Sequence, residues 1–473
     1  MKKLKLSGKD LRALGFPQAP VIRVAIEVVA KAFREAEKEK AVELLKKLLH
    51  IPEDFYEDET LFPIARLLKP PVPLSSQIPL NDKGVNLNIF GEEHIDDSAL
   101  SQIRIAARLP VSKAAALMPD AHSGYGLPIG GVLATKNAVI PYGVGVDIGC
   151  RMCLSIFDIP VGDLQKKVEL FADELLRATL FGTGGEFAVP ADHEVLEDPL
   201  FDEIPLLAGL QDRARRQLGT SGSGNHFVEF GEVKISGKDD LPGLEPGLYV
   251  GLLSHSGSRN LGASVANHYT KLAAEKRRLP AEARNLAWLD LNEEAGHEYW
   301  LAMNLAGRYA SACHHAIHQK IAQQFNRQPI AMVENHHNFA WKETYHGEEW
   351  IVHRKGATPA GKNVLGIIPG SMTAPGFIVK GKGEEASLNS ASHGAGRVMS
   401  RTQAMKNITQ QQLKQELEKH NVRLLGAGLD EAPFAYKDIE KVMKSQKLLV
   451  DVVGKFQPKI VKMDSGSRGR GRG

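Results

Sequence analysis

The residue types best suited to chemistry first appear in the turn from Val144 to Cys150, where a carboxylate and a thiol lie three positions apart. An apolar run leads into this glycine-containing turn, which can direct Asp147 and Cys150 toward one point. Carboxylate oxygen and thiolate sulfur together suit a divalent metal ion. The alternative is that Asp147 caps its own turn beside a buried structural cysteine.

Three polar clusters farther along the chain place histidines after glycine-rich or apolar segments, at Asn225-His226, His255-Ser256 and His336-His337. Each histidine alone is more often structural than functional, so the chemistry is inferred from their combination with the earlier turn. One carboxylate, one thiolate and three histidines give two metal ions three protein ligands each if the thiolate bridges them. The positions left open suit the oxygens of a substrate phosphate.

Cys150 and Cys153 also form a Cys-x-x-Cys pair, a spacing found in zinc knuckles and redox proteins. The remaining cysteine, Cys313, cannot complete a second pair, so a four-cysteine zinc site is excluded. Residues 151–157 have the pattern of a strand, and alternation along it places Cys150 and Cys153 on opposite faces. Cys150 is therefore the predicted ligand, and Cys153 is predicted to lie in the core.

Glycine-punctuated segments suggest where a phosphate could bind. The segment 220–224 can bring backbone amides close to a phosphate, and alternation along the following strand predicts Glu229 on the opposite face from His226. Cationic side chains elsewhere are candidates for phosphate contacts, namely Arg259, Arg354 and Lys355.

His393 is followed by small residues and is predicted to open a helix whose N-terminus would favour an anionic phosphate. A histidine that only orders this turn is the alternative. Beside a phosphate site and a metal site, His393 is the predicted covalent residue.

The composition indicates a globular protein, with 473 residues, 43% hydrophobic and 24% charged, and excludes disordered and fibrous classes. The formal net charge is only +3, so nucleic-acid binding would depend on a local patch rather than on the whole surface. Three cysteines cannot form a disulfide framework and fit a reducing, cytoplasmic location. No stretch is long and apolar enough to predict a membrane span.

Changes in pattern along the chain predict three segments: a helical N-terminal extension with its linker at 1–75, a catalytic domain at 76–463 and a flexible Arg-Gly tail at 464–473. The prolines of the segment Pro70-Pro71-Val72-Pro73 favour a stiff linker. The middle segment mixes short β-branched runs with helical patterns. The predicted fold class is therefore α+β, a mixed core of several short β-sheets flanked by helices.

The helical spacing over residues 283–324 predicts two consecutive helices. His314 and His318 share a face of the second of these. Chelation by the pair is conceivable at this spacing, but a solvated helix face explains the two histidines better.

Nine ordered motifs between residues 95 and 462 resemble the RtcB family of RNA ligases. They are Pro119–His122, Gly126–Gly131, Asp147–Cys150, Gly224–His226, His255–Arg259, His337–Asn338, His353–Ala357, Pro369–Met372 and His393–Arg397. The N-terminal extension and the Arg-Gly tail lie outside this resemblance.

The resemblance implies a GTP- and manganese-dependent enzyme that joins RNA ends carrying a 3′-phosphate or 2′,3′-cyclic phosphate to 5′-hydroxyl ends, in RNA repair or tRNA splicing. It implies two Mn²⁺ ions bridged by Cys150, with Asp147 and His226 completing one ligand set and His255 and His337 the other. A metal-dependent phosphodiesterase that opens cyclic phosphate ends without ligation is the alternative.

The resemblance also implies that His393 takes GMP from GTP. The nucleotide would be held by residues of the glycine-rich turns and adjoining strands: Asn225, His226, Glu229, His337, Asn338, Pro369, Gly370, Ser371, Met372, Gly376, Gly394, Ala395, Gly396 and Lys462. Gly376 stands where many family members have a serine, and Lys462 matches a lysine near the end of the family pattern.

Overall fold

The computed structural model describes most of the chain in five continuous stretches, namely 4–17, 21–55, 58–68, 77–238 and 240–465. The chain divides into two compact units, Met1–Gln77 and Ile78–Gly473. The predicted linker at Pro70–Pro73 and residues 466–473 of the predicted tail lie outside the described residues.

The first unit is helical, with elements α1 (Gly8–Ala13), α2 (Val21–Ala32), α3 (Lys38–His50) and α4 (Phe62–Leu68). A reciprocal capping box begins α1, because the Ser7 hydroxyl accepts from the Asp10 backbone N–H while the Asp10 carboxylate accepts from that of Ser7. Leu11, Val29 and Leu45 are fully buried and share one small core. Burial of one face of each helix therefore holds this unit together.

The helices of the second unit surround its strands. They are α5 (Asp97–Ala107), α6 (Pro141–Val144), α7 (Gly162–Lys166), α8 (Val168–Ala178), α9 (Leu200–Glu203), α10 (Pro205–Ala208), α11 (Gln211–Gln217), α12 (Arg259–Lys276), α13 (Glu294–Gln324), α14 (Arg401–Asn407), α15 (Gln410–His420) and α16 (Ile439–Ser445).

The strands of the second unit are short, apart from β2 and the last strand. They are β1 (Leu87–Ile89), β2 (Ser112–His122), β3 (Ile129–Thr135), β4 (Ala138–Val139), β5 (Arg151–Phe157), β6 (Phe227–Ile235), β7 (Gly247–Ser256), β8 (Leu289–Asp290), β9 (Ala331–His336), β10 (Asn338–Tyr345), β11 (Glu348–Lys355), β12 (Ala357–Pro359), β13 (Leu365–Ile368), β14 (Gly376–Gly381), β15 (Ser390–Ser392), β16 (Arg423–Gly426) and β17 (Val450–Met463).

Two mixed sheets dominate the second unit. One has five strands in the order β1-β2-β3-β11-β10, and the other has eight, with β13-β14-β17-β6-β7-β5-β9 in order and β16 beside β17. The contacts of β1 with β2 and of β16 with β17 are parallel, whereas the other pairs within these sheets are antiparallel. This architecture confirms the predicted α+β class.

Strand register brings distant parts of the chain to one edge of the eight-stranded sheet. Arg151, the first residue of β5, pairs with Ser256 near the end of β7 and with His336 at the end of β9. At the start of β6, Phe227 pairs with His255. Because these neighbours are antiparallel, the beginnings of β5 and β6 lie beside the ends of β7 and β9.

Two helical elements cover the range 283–324, in which two helices were predicted, but they are very unequal. The first is a short 3-10 helix, Ala281–Leu286, and the second is α13, which runs for 31 residues. Two glycines inside α13 mark close contacts rather than a break: a Cβ at Gly296 would lie 1.9 Å from the Asp290 carbonyl, and one at Gly307 would lie 2.9 Å from the Phe339 ring. Tight packing therefore keeps the helix continuous.

Within the described residues, no helix combines the length and the apolar character needed to cross a membrane.

The turn before β5 rests directly on α13 and generates a prediction about stability. Gly149 has φ +70°, and a Cβ there would lie 2.9 Å from the Gly307 Cα. Gly149→Ala should therefore lower the free energy of unfolding by about 1–2 kcal/mol for the left-handed backbone and by about 1–3 kcal/mol more for overpacking. Chemical denaturation measures this loss.

Gly347→Ala is the matched control, because Gly347 has φ +79° with no atom within 4 Å of its ideal Cβ. Gly347→Ala should lower the free energy of unfolding only by the amount due to the left-handed backbone. Equal losses in the two variants would contradict the packing of this turn against α13.

Candidate metal and nucleotide site

A cavity of about 790 Å³ lies at the edge of the sheet where these strand ends meet. It is lined by all the residues that the sequence predicts as ligands, covalent residue or nucleotide contacts, with the exception of Lys462. Residues of the β2–β3 connection also line it, including His122, Ser123 and Tyr125. The predicted site is thus one continuous space.

The five predicted metal ligands converge in two groups that share Cys150. Asp147, Cys150 and His226 form one group, and Cys150, His255 and His337 form the other, with the donor atoms in each group all within 4.8 Å of one another. The Cys150 Sγ lies 3.6 Å from the His226 Nε2 and 3.2 Å from the His255 Nε2. The His226 Nε2 lies 3.0 Å from the Asp147 Oδ2, and the Nε2 atoms of His255 and His337 are 3.2 Å apart.

Hydrogen bonds on the far side of two rings set their tautomers. The Nδ1 of His226 donates to the Ser221 carbonyl at 2.7 Å, and the Nδ1 of His255 donates to the Asn225 carbonyl at 3.0 Å. Because a carbonyl only accepts, the Nδ1 of each ring carries a proton, and in the neutral ring the Nε2 offers a lone pair toward Cys150. Two nitrogen lone pairs and a sulfur directed at one another are stabilised by a cation between them, so the donor set fits a divalent transition metal.

Burial has consequences for the ionisation of this cluster. It raises the pKa of the Cys150 thiol well above its usual value, and the Asp147 carboxylate raises it further. Burial also lowers the pKa of His255 to about 3, so this ring is neutral and able to coordinate. A bound cation would favour the thiolate, since metal binding displaces the thiol proton.

A buried nitrogen of His337 also supports the binding of a metal ion by this cluster. The Nδ1 of His337 is buried and lacks a hydrogen-bond partner among the described residues. Burial lowers the pKa of His337 well below its usual value. Burying a ring nitrogen without a hydrogen bond costs free energy, and metal coordination by the other nitrogen of the ring would offset this cost.

His393 lies beside this cluster, with its ring centre 5.0 Å from that of His337. Its Nδ1 lies 2.7 Å from the Asp120 Oδ2, which also accepts from the backbone N–H groups of His393 at 3.1 Å and Gly394 at 3.3 Å. The carboxylate therefore fixes the Nδ1–H tautomer and leaves the Nε2 of His393 available as a nucleophile.

Asp120 is a functional residue to which the sequence pattern assigned no role. It is fully buried at the end of β2. Burial alone would raise the pKa of Asp120, but the hydrogen bond and charge of His393 outweigh it and hold this pKa below its usual value. Asp120 could have been found from the sequence as an acidic residue inside an otherwise apolar strand. A buried carboxylate requires a partner, so such a residue predicts one.

The predicted helix at His393 is wrong. The chain is irregular after β15, and α14 begins only at Arg401. Three donors to Asp120, rather than a helix N-terminus, fix the position of His393.

Glu229 lines the cavity together with His226, which contradicts the predicted alternation. The strand β6 begins at Phe227, so His226 belongs to the preceding turn and alternation does not relate the two residues. Burial raises the pKa of Glu229 well above its usual value. Burial therefore favours the protonated carboxyl group, which can both donate and accept hydrogen bonds.

Lys462 does not line the cavity, in contrast to the other predicted nucleotide contacts. On β17 its neighbours Val461 and Met463 line the cavity, and alternation turns Lys462 to the other face. Its Nζ donates to the carbonyls of Leu175, Leu176 and Thr179 at 3.3, 3.4 and 3.0 Å. These hydrogen bonds from Lys462 therefore link β17 to the end of α8.

The three predicted phosphate-binding cations are all engaged with protein groups. Arg354 is fully buried and donates to Glu343 at 2.5 Å and to Ser390 at 2.7 Å. The Lys355 Nζ donates to the carbonyls of Tyr125 and Tyr142 at 2.6 and 3.1 Å. Lys355 therefore holds the backbone of Tyr125, which lines the cavity, whereas Arg354 joins groups outside it.

Arg259 has a similar structural role. Its guanidinium donates to the Thr220 hydroxyl at 2.9 Å and to the Gly182 carbonyl at 2.8 Å. A Cβ at Gly222 would lie 2.3 Å from the His226 Nδ1 and 2.4 Å from Arg259. Glycine is therefore required where this loop passes between the two side chains.

A second cluster, Cys153, His314 and His318, lies on the opposite face of β5 and is fully buried. The predicted solvated helix face is wrong, because α13 turns these histidines toward the eight-stranded sheet. Each ring nitrogen has a protein partner: His318 contacts the hydroxyls of Ser155 and Ser254 at 2.7 Å each, and His314 contacts the Ser254 hydroxyl at 2.6 Å and a backbone carbonyl at 3.1 Å. Hydrogen bonding alone therefore satisfies this cluster.

The two clusters generate a prediction about metal binding. Cys150→Ala removes the donor shared by both groups and should abolish most of the bound metal. Cys153→Ala is the matched control, since it removes a buried thiol only three residues away, within β5, and should leave the metal content unchanged. Metal per protein is measured by mass spectrometry after equilibration with Mn²⁺ and desalting. Equal metal content in the two variants would contradict the assignment.

Comparison with known proteins agrees with this geometry. The family model described as tRNA-splicing ligase RtcB matches residues 102–464. RNA-splicing ligase RtcB of Escherichia coli K12 is 35% identical over 390 residues, covering 76% of this chain and 92% of that protein. The tRNA-splicing ligase RtcB of Methanococcus maripaludis is 30% identical over 423 residues, covering 74% of this chain and 88% of that protein. By the extent of both matches, this chain belongs to the RtcB family.

Proposed function

We propose that this protein is an RNA ligase that joins ends bearing a 3′-phosphate or 2′,3′-cyclic phosphate to 5′-hydroxyl ends, using GTP and two Mn²⁺ ions. The relatives named as RNA-splicing and tRNA-splicing ligases support ligation of RNA. The end chemistry, the nucleotide and the metal are inferred from the resemblance and from the donor groups in the cavity.

The arrangement of His393 is the observation that carries the proposal. An imidazole with its Nδ1–H held by a buried carboxylate lies next to a cluster of five metal-binding side chains. This geometry suits nucleophilic attack on a phosphate whose charge is neutralised nearby. A purely hydrolytic centre would require no such oriented nucleophile.

The first proposed step is transfer of GMP to His393. The Nε2 of His393 attacks the α-phosphorus of GTP, the bond to the pyrophosphate oxygen breaks, and a phosphoramidate forms. Asp120 retains its hydrogen bond to Nδ1–H and stabilises the positive charge that develops on the ring. The small residues that follow His393 leave room for the nucleotide in the cavity.

The RNA then passes through two displacements at phosphorus. An oxygen of the RNA 3′-phosphate attacks the guanylated His393, which leaves as neutral imidazole. The 5′-hydroxyl attacks the activated 3′-phosphorus and expels GMP, which closes the phosphodiester bond. A cyclic phosphate end must first be opened by water to give the 3′-phosphate.

Manganese ions held by Asp147, Cys150, His226, His255 and His337 would supply positive charge to the phosphate oxygens in each displacement. The chain's own contribution is orientation. Asn338 bridges two of the segments concerned, because its amide donates to the Asp147 carbonyl at 3.3 Å and accepts from Gly356 at 2.8 Å. The turn at Asp147 and the connection between β11 and β12 at Gly356 are therefore held at a fixed separation.

Labelling with GTP tests this function. Incubation with Mn²⁺ and GTP carrying a label on the α-phosphate should give acid-labile, protein-linked GMP, which disappears when RNA with both kinds of end is added. Cyclic ends that are opened without any protein-linked label would instead establish a phosphodiesterase. Parallel reactions with the other three nucleotides measure the selectivity for guanine.

His393→Ala should abolish protein-linked GMP, because it removes the nucleophile. The control is His297→Ala, which replaces an exposed histidine of α13. Ligation that survives in His393→Ala would contradict the covalent assignment.

Asp120→Asn should slow formation of protein-linked GMP by at least about 100-fold, since it removes the charge that supports the reactive tautomer of His393. Single-turnover labelling measures the rate. Metal content should stay unchanged, because Asp120 is not a donor in either metal-binding group. A wild-type labelling rate would contradict the role of this carboxylate.

A further inference from the structure

The loop between β2 and β3 exposes an aromatic side chain at the mouth of the cavity. Tyr125 lines the cavity, yet its exposed fraction is 71%. Its ring lies 6.4 Å from that of Tyr142 at an interplanar angle of 53°, so the two rings do not stack. An aromatic ring with this exposure is not held there by packing of its own side chain.

The backbone that carries Tyr125 is nevertheless fixed on both sides. Gln102 makes two hydrogen bonds to Gly124, donating to its carbonyl at 2.6 Å and accepting from its N–H at 3.0 Å. The buried Lys355 donates to the Tyr125 carbonyl at 2.6 Å. Gly126 has φ +74° and lies so close to Asn285 that a Cβ would be 3.0 Å from its carbonyl oxygen. An exposed ring on an anchored loop is a preorganised binding surface.

Strand β2 supports both Tyr125 and the reactive histidine. Tyr125 follows β2 of the five-stranded sheet. The same strand carries Asp120, whose carboxylate holds His393. Tyr125 and His393 are therefore positioned from one strand and line the same cavity.

We propose that Tyr125 is a stacking platform for the unpaired terminal base of an RNA end entering the cavity. The inference rests on the proposed ligase function and specifies a subsite for its substrate. Aromatic side chains bind single-stranded RNA by stacking on base faces, and this contact tolerates any base. The subsite thus suits an enzyme that joins ends of varied sequence.

The experiment measures the KM and kcat of ligation for wild-type protein and for Tyr125→Ala, Tyr125→Phe and Leu448→Ala. Leu448 is a matched control because it is also 71% exposed and does not line the cavity. Tyr125→Ala should raise the KM for RNA about tenfold with little change in kcat, since stacking contributes to binding rather than to bond making. Tyr125→Phe keeps the ring and should stay within about twofold of wild type.

Abasic substrates test the contact without depending on the folding of a variant. RNA lacking the base of the 3′-terminal nucleotide and RNA lacking that of the 5′-terminal nucleotide are compared with intact RNA. One of the two should raise the wild-type KM about tenfold and have no further effect on Tyr125→Ala, which identifies the end that stacks. If the missing base raised the KM of Tyr125→Ala by the same factor as that of wild type, the two changes would act independently and the inference would be overturned. A wild-type KM in Tyr125→Ala would also overturn it.

Protein-linked GMP measured without RNA separates this inference from the proposed function. A wild-type protein that neither forms the linkage nor ligates would refute the proposed function and the subsite with it. A labelled protein whose KM does not depend on Tyr125 would refute the subsite alone.

Discussion

Register between antiparallel strands is the constraint on which this site depends. Arg151 is held between Ser256 and His336, and Phe227 is held against His255. His255 is part of this ladder, and Cys150, His226 and His337 adjoin the paired residues, so one thiol and three imidazoles from separate parts of the chain converge. A shift of one residue in any of these ladders would turn a donor to the opposite face of the sheet.

The groups that contact these histidines fix the orientation of their rings. Backbone carbonyls set the tautomers of His226 and His255, and a buried carboxylate sets that of His393. The glycine loop passes between His226 and Arg259 where a methyl group would not fit. Orientation therefore comes from short, directional contacts to backbone and buried side chains, which suits chemistry that depends on position more than on acid–base strength.

The sequence predicted best the features that depend only on residues adjacent to one another along the chain. The strand predicted at 151–157 is β5, and Cys150, just before it, lies in a different cluster from Cys153, as predicted. Alternation failed at Glu229 because β6 begins one residue after His226, and the assignment of Lys462 ignored the face of β17 on which it lies. Alternation is reliable only once the end of a strand is known.

The pattern of residue types could not predict which residues far apart in the sequence lie close together in the structure. The pairing of Asp120 with His393 joins residues 273 positions apart, and the exposure of His314 and His318 depends on which face of α13 meets the sheet. The cationic side chains were misjudged for the same reason: Arg354 and Lys355 suit phosphate by type, yet buried carboxylate and carbonyl groups already bind them. Charge alone does not tell a ligand-binding cation from a structural one.

The sulfur atom common to both donor groups has a further consequence for the redox behaviour of the protein. In the proposed two-ion arrangement, ionisation of one thiol would serve both cations, so the second ion would displace no additional thiol proton. The same sharing makes the centre vulnerable at a single atom. Peroxide that converts this sulfur to a sulfinate would disable both positions in one irreversible event, whereas oxidation of an ordinary terminal ligand would disable one.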